Sequence, residues 1–180
     1  MFKLKHGLVA ALAWATLAAP GALAGPASKR PPTPDVNTRA TDFTITTFDR
    51  EKVSMEDLSG KVVVLNYWAT WCAPCRGEML VMDDFMRSHP KSDLKIYAIT
   101  VESTVPHTYM RRLADALSFP LGLRLSGRGY GMIHGALPTS YVIGRDGVVR
   151  YAKEGAFDKQ SFAALVTPLL AESAPAAGQP

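Results

Sequence analysis

Cysteine is nearly absent from this chain: Cys72 and Cys75 are the only two among 180 residues, and histidine stands at four positions. So thin a supply excludes a small secreted scaffold held together by several cross-links. It also leaves the pair without the two further ligands of a tetrahedral zinc site, because no other cysteine exists and His89, His107 and His134 show no ligand spacing. Arg76, not histidine, follows Cys75, so the pattern of c-type haem attachment is missing. An excess of one charge is missing too. Twenty basic against 16 acidic residues leave a formal charge of +4, and the lysines and arginines are scattered, which gives no support for a nucleic-acid surface. No internal repeat is present.

What remains is the composition of one globular domain, with 47% hydrophobic and 20% charged residues. A domain of roughly 150 residues already buries about two-thirds of its unfolded surface and needs no covalent staple. The ends differ from the middle. Lys3, Lys5 and His6 precede an apolar run from Gly7 to Ala19, Ala22-Leu23-Ala24 offers a small-x-small cleavage site, and no acidic residue occurs before Asp35. Residues 1–24 therefore read as a secretory signal peptide, cleaved after Ala24. If retained, the segment is borderline in length for a membrane anchor. No cysteine follows the apolar run to take a lipid. Loss of Lys3 and Lys5 lowers the charge to +2. Export places the two cysteines in an oxidising compartment, the periplasm or the outside of the cell, where disulfides persist. Residues 25–40 are rich in proline and small polar residues and read as a linker; residues 173–180 read as a frayed tail.

Between these ends, over 41–172, strand-like and helix-like segments alternate, which indicates an α/β domain. Residues 42–48 alternate apolar and polar, as in an edge or hairpin strand. Lys61 to Trp68 and Leu94 to Val101 are nearly continuous apolar runs, the mark of strands covered on both faces. Thr139 to Ile143 and Val148 to Ala152, joined by Arg145-Asp146-Gly147, should form a hairpin. Helices are expected from Cys72 to about His89, from Thr104 as N-cap with Pro106 in the first turn, and from near Asp158, where Pro168 should kink or shorten the last one.

Two cysteines at i and i+3, opening a helix after a buried strand, have a mechanical meaning. In the first turn their sulfurs lie close enough to bond. Cys72 sits where unpaired N–H groups and the helix dipole favour a thiolate, so it should be the exposed nucleophile. Cys75, one turn deeper, should resolve the mixed disulfide. Pro74 occupies a position whose missing donor is not needed. A purely structural disulfide closing four residues adds about 2 kcal/mol, which a domain of this size does not require. Metal handling is the other alternative, a Cu(I) carrier using the thiols and nearby methionines. On a helical wheel Phe85, Glu78, Met82, Cys75, Met86 and Met79 share one arc of about 120°, whereas Arg76, Asp83, Asp84 and Arg87 fall on another. Glu78 is therefore expected to be at least partly buried with a raised pKa, suited to shuttling a proton for Cys75; the alternative is a glutamate that snorkels out or simply favours the helix N-terminus. The methionines read as core filler.

The stretch Asn66-Tyr67-Trp68-Ala69-Thr70-Trp71-Cys72-Ala73-Pro74-Cys75-Arg76 resembles the TlpA/ResA-like periplasmic branch of the thioredoxin superfamily. The likeness spans about residues 41–170 and includes the Asp42 opening, Leu58 to Val64, Glu78, Leu137-Pro138-Thr139-Ser140 and the Arg145-Asp146-Gly147 hairpin. It implies a thioredoxin fold, a central mixed β-sheet flanked by α-helices with an N-terminal β-hairpin extension. It further implies thiol:disulfide exchange with protein thiols and disulfides, a membrane-side redox partner, no diffusible cofactor and no metal, and often a part in cytochrome c or oxidase maturation. A monomer is expected. Residue by residue, Cys72 matches the attacking thiol, Cys75 the resolving one, Glu78 the active-site acid and Pro138 a cis-proline beside the disulfide. Trp71, Pro74, Leu137 and Pro138 are expected to border the substrate. Asn66 stands where cytoplasmic thioredoxins carry a buried aspartate. Two departures stand out: Leu80 replaces a proline usual in the helix, so its common kink should be missing, and Ser126 to Ala136 is glycine-rich with altered spacing to Pro138. His134 there reads as a surface loop residue.

Overall fold

The computed structural model describes residues 33–174. The expected signal peptide, the first half of the linker and residues 175–180 of the tail lie outside them.

Seven strands form one sheet: β1 (Phe43–Thr47), β2 (Lys52–Ser54), β3 (Val62–Trp68), β4 (Leu94–Thr100), β5 (Leu121–Gly127), β6 (Thr139–Ile143) and β7 (Val149–Glu154). Their order across the sheet is β2-β1-β5-β4-β3-β6-β7. β3 lies inside the sheet, parallel to β4 and antiparallel to β6, and all seven of its residues are buried. That is why its sequence shows no polar alternation. Its even-numbered side chains Val62, Val64 and Trp68 join one core cluster, and Val63, Leu65 and Tyr67 join the other. Helices α1 (Ala73–Ser88), α2 (His107–Ala116) and α3 (Lys159–Ala171) contribute to the first cluster, notably through Met79, Met82, Met110, Phe162 and Val166. The second is closed by the N-terminal hairpin, short 3-10 turns and loops that supply Leu58, Tyr130 and Ile133.

Several sequence expectations are corrected. Of the two readings given for residues 42–48, the hairpin holds and the edge does not: β1 pairs antiparallel with β2 on one side and with β5 on the other. β5 escapes pattern reading because two glycines interrupt its apolar run, and the packing explains them. A Cβ on Gly122 would sit 2.9 Å from Ile99 Cγ1, and one on Gly127 would sit 2.7 Å from Phe43 Cβ. α2 starts at His107 with Pro106 as N-cap, not at Thr104, because the residue before a proline is held out of helical conformation. Met110 is its one buried residue, while Leu113, Ala114 and Leu117 are half-buried. α3 opens on a full capping box between Asp158 and Ser161 and continues through Pro168 to Ala171. Its last turn is held by buried Leu169 and by Arg145 Nη2, which donates to the Leu170 carbonyl at 3.0 Å. Asp83, placed by the wheel on a polar arc, is buried; it accepts from Ser118 N–H and Oγ–H and from Arg87 Nε.

The end of the expected linker is structured. Asn37 N–H donates to Val149 O at 2.8 Å, Val149 N–H to Thr38 O at 2.9 Å and Ala40 N–H to Gly147 O at 2.8 Å. Residues 37–40 thus form a strap along the start of β7. Backbone partners, not side-chain hydrophobicity, order it.

Replacing Gly122 by alanine should force the new methyl against Ile99 and lower stability by about 1–3 kcal/mol. Urea unfolding of the variant, read against the native midpoint, checks this.

Candidate active site

The two cysteines are placed by the end of β3. The chain leaves the sheet at Trp68, whose carbonyl accepts Val101 N–H at 3.0 Å, and turns so that Cys72 N–H donates to Ala69 O at 3.1 Å. Cys72 is the N-cap of α1 in an extended conformation, with Pro74 in the first turn. The sulfurs are joined, with the Cα atoms 5.3 Å apart. Cys72 Sγ also accepts the Cys75 N–H at 3.3 Å, so the helix terminus donates directly to this sulfur. The turn is fastened from both sides. Glu102, beyond β4, accepts from Thr70 N–H at 2.5 Å and from its hydroxyl at 3.0 Å, while Arg76 Nη1 donates to Thr70 O at 2.6 Å. Sequence reading missed Glu102, because nothing local relates it to a motif some thirty residues away.

The expectation of an exposed Cys72 is corrected. In this disulfide form it is only 4% exposed and Cys75 is fully buried, because the Cys72 sulfur is turned back onto its own helix terminus. Trp71, at 70%, and Pro74 stand outside. Leu137-Pro138 has a cis peptide bond and opens β6. The next residue, Thr139, pairs with Tyr67, next to Trp68, so proline and disulfide share one end of the sheet. Leu137 is half-buried and Pro138 buried; the Pro138 carbonyl accepts Gly155 N–H at 2.9 Å.

Glu78 is 1% exposed, on the same face of α1 as Cys75. Its carboxylate is met from three elements. Asn66 of β3 donates through Nδ2 to Oε2 at 2.7 Å, the Phe157 N–H donates to Oε1 at 3.2 Å, and Ser140 Oγ lies 3.5 Å from Oε1. Asn66 and Ser140 are directly opposed partners in the β3–β6 register and face α1 together. Burial pushes the Glu78 carboxyl up to about 7, against the lowering pull of the Phe157, Asn66 and Ser140 hydrogen bonds. Such a group can take and return a proton near neutrality.

The remaining candidates fall elsewhere. His134 is exposed, adopts a positive φ of 49° and holds Glu154 Oε2 through Nδ1 at 2.9 Å. Met79 and Met82 are buried in the core. α1 runs through Leu80 without interruption. Among the described residues no group of three or more His, Cys, Asp or Glu side chains could hold a metal ion.

Comparison with known proteins fits this arrangement. The family model described as the AhpC/TSA family matches residues 36–152. The thioredoxin-like protein YneN of Bacillus subtilis is 33% identical over 125 residues, covering 68% of this chain and 73% of its own length. The thiol-disulfide oxidoreductase ResA of Bacillus thuringiensis subsp. konkukian is 31% identical over 120 residues, covering 64% and 67%. Among solved structures, a putative protein disulfide isomerase from Bacteroides thetaiotaomicron superposes with a TM-score of 0.61 at 26% identity, over 77% of this chain and 92% of its own.

The raised carboxyl carries a stability consequence with a definite sign. Below about pH 4.5 Glu78 is protonated in both folded and unfolded chains; between there and about 7 only the folded chain keeps the proton. Its contribution is thus fully present at low pH and is lost as pH rises through about 7. The loss is on the order of 3 kcal/mol. Urea unfolding of the oxidised protein at pH 5 and pH 8 should show that fall, and Glu78→Gln should remove most of it.

Proposed function

The chain belongs to the AhpC/TSA family and is a thiol:disulfide oxidoreductase of the ResA-like kind, and on that premise we propose that Cys72 attacks, Cys75 resolves and Glu78 shuttles the proton of Cys75. The observation that carries this reading is the helix terminus itself. Cys72 Sγ caps α1 and accepts the Cys75 N–H, so a charge on that sulfur meets a donor and the positive end of the dipole. Cys75 is sealed in the core beside Glu78.

The steps balance as two exchanges. The Cys72 thiolate forms a bond to one sulfur of a protein disulfide, and the other client sulfur leaves as a thiolate. Cys75 then gives its proton to the Glu78 carboxylate and attacks Cys72, forming the intramolecular disulfide and releasing the second client thiolate. Run backwards, the same steps oxidise a client dithiol. Trp71, Pro74, Leu137 and Pro138 form the border against which the client strand lies. A membrane-side redox partner resets the pair, and the clients include proteins of cytochrome c or oxidase maturation. The basic, apolar and small-residue pattern of residues 1–24 supports export to the periplasm, with membrane anchoring if that segment is retained. The molecule works as a monomer without a diffusible cofactor. The alternative, a Cu(I) carrier, would draw on Met79 and Met82, and the burial of both favours a packing role instead.

Single cysteine variants separate these readings. Cys75→Ser should accumulate mixed disulfides with periplasmic proteins that vanish on reduction, whereas Cys72→Ser should trap little. Non-reducing gels measure both. Equal trapping would overturn the assignment of roles, and no trapping by either folded variant, with stoichiometric Cu(I) binding by the native protein, would favour the carrier.

A further inference from the structure

A buried carboxyl that gains and loses a proton needs two hydrogen-bonding arrangements, because the ionised group only accepts whereas the acid must also donate. Around Glu78 the Phe157 N–H can only donate. The Ser140 hydroxyl can do either, but lies 3.5 Å away, at the limit of a useful bond. Asn66 carries a donor and an acceptor on one amide. Its Nδ2 donates to Glu78 Oε2 at 2.7 Å and to Ser140 Oγ at 2.9 Å. Its Oδ1 is buried and, among the described residues, has no hydrogen-bond partner. An orphaned acceptor in a fully buried side chain calls for a cause. A half-turn about the last side-chain bond supplies one, since it brings Oδ1 to the place that Nδ2 now holds against Glu78.

Resting on the reading of Glu78 as proton acceptor for Cys75, we propose that Asn66 is a positioning residue for that transfer. Its Nδ2 donates to Glu78 while the carboxylate is ionised, and its amide turns so that Oδ1 accepts the new proton once Glu78 holds it. In the step, the Cys75 S–H bond breaks and the proton passes to Glu78. The sulfur's electron pair forms the bond to Cys72, and the client sulfur leaves as a thiolate. Ser140 follows the turn, because its hydroxyl accepts from Nδ2 in one state and donates to Oδ1 in the other. Either orientation leaves one end of the amide unpartnered, so neither locks the proton in place.

Among the described residues, the titratable groups set against Glu78 are the cysteine pair at the start of its own helix and Tyr151 of β7. The Tyr151 phenol is held above its ordinary value of 10, first by burial and then by the Glu78 charge. β3 and β6 present the neutral Asn66 and Ser140, and the chain before α3 presents a main-chain N–H. A transition near neutrality in the second exchange step therefore reports the carboxyl and the thiols, not Tyr151.

Reduced protein mixed with a chromogenic aromatic disulfide releases one aromatic thiol on attack by Cys72 and a second on resolution by Cys75. Stopped-flow traces from pH 5 to 9 give both rates. Glu78→Gln should slow the second release about a hundredfold and abolish its carboxyl-governed limb. Asn66→Leu removes one charge-assisted donor, so that limb should move up by about one pH unit or more while the first release is unchanged. If Glu78→Gln leaves the limb in place, the reading of Glu78 itself fails. If Glu78→Gln removes it and a folded Asn66→Leu leaves its midpoint at the native value, the role of Asn66 alone fails. Should Asn66→Leu not fold, the side-chain amide signals of Asn66 in the native oxidised protein decide by nuclear magnetic resonance. They should shift with the midpoint of the Glu78 carboxyl carbon, and an amide unmoved across that midpoint would overturn the proposal.

Discussion

A carboxylate with almost no contact with water sets the terms for this molecule. Glu78 sits where α1 crosses the β3–β6 pair, and every group that satisfies it comes from a different part of the chain: Asn66 from β3, Ser140 from β6 and the Phe157 N–H from the approach to α3. Leaving such a group unpartnered in the core would cost several kcal/mol. The helix, the strand pair and the chain entering α3 must therefore assemble in one relative position. The same assembly puts Cys75 one turn from Glu78 and Cys72 at the helix mouth. Fold and chemistry are thus one constraint, since the packing that makes the site is the packing that keeps Glu78 from being stranded.

Much of this is legible in the sequence, and the limits have physical causes. The buried strand β3, both cysteines and the burial of Glu78 follow from local pattern: an unbroken apolar run, a spacing of three and a wheel. The network around Glu78 does not, because Asn66, Ser140 and Phe157 meet only through strand register and a loop. The same holds for Glu102, which fixes Thr70 from the end of another strand. β5 was missed because Gly122 and Gly127 are there for close approach to Ile99 and Phe43, a reason visible only from the neighbours. The early start given to α2 ignored the effect of Pro106 on the residue before it. Burial of Cys72 comes with its bond to Cys75 and with its sulfur turned onto the helix terminus, a geometry that the spacing of the two residues does not carry.

The strap at residues 37–40 bears on how the sheet's edges are closed to other chains. A sheet ends in two open edges, and each is a template for any extended chain that comes near. One edge here, β2, is only three residues long. The other, β7, is covered at its start by the strap and carries Arg150, Lys153 and Glu154 along the remainder. An extended chain that comes near either edge therefore finds little backbone to pair with. Edges closed in this way keep the molecule from pairing strand to strand with a second copy of itself, which lowers its own tendency to aggregate.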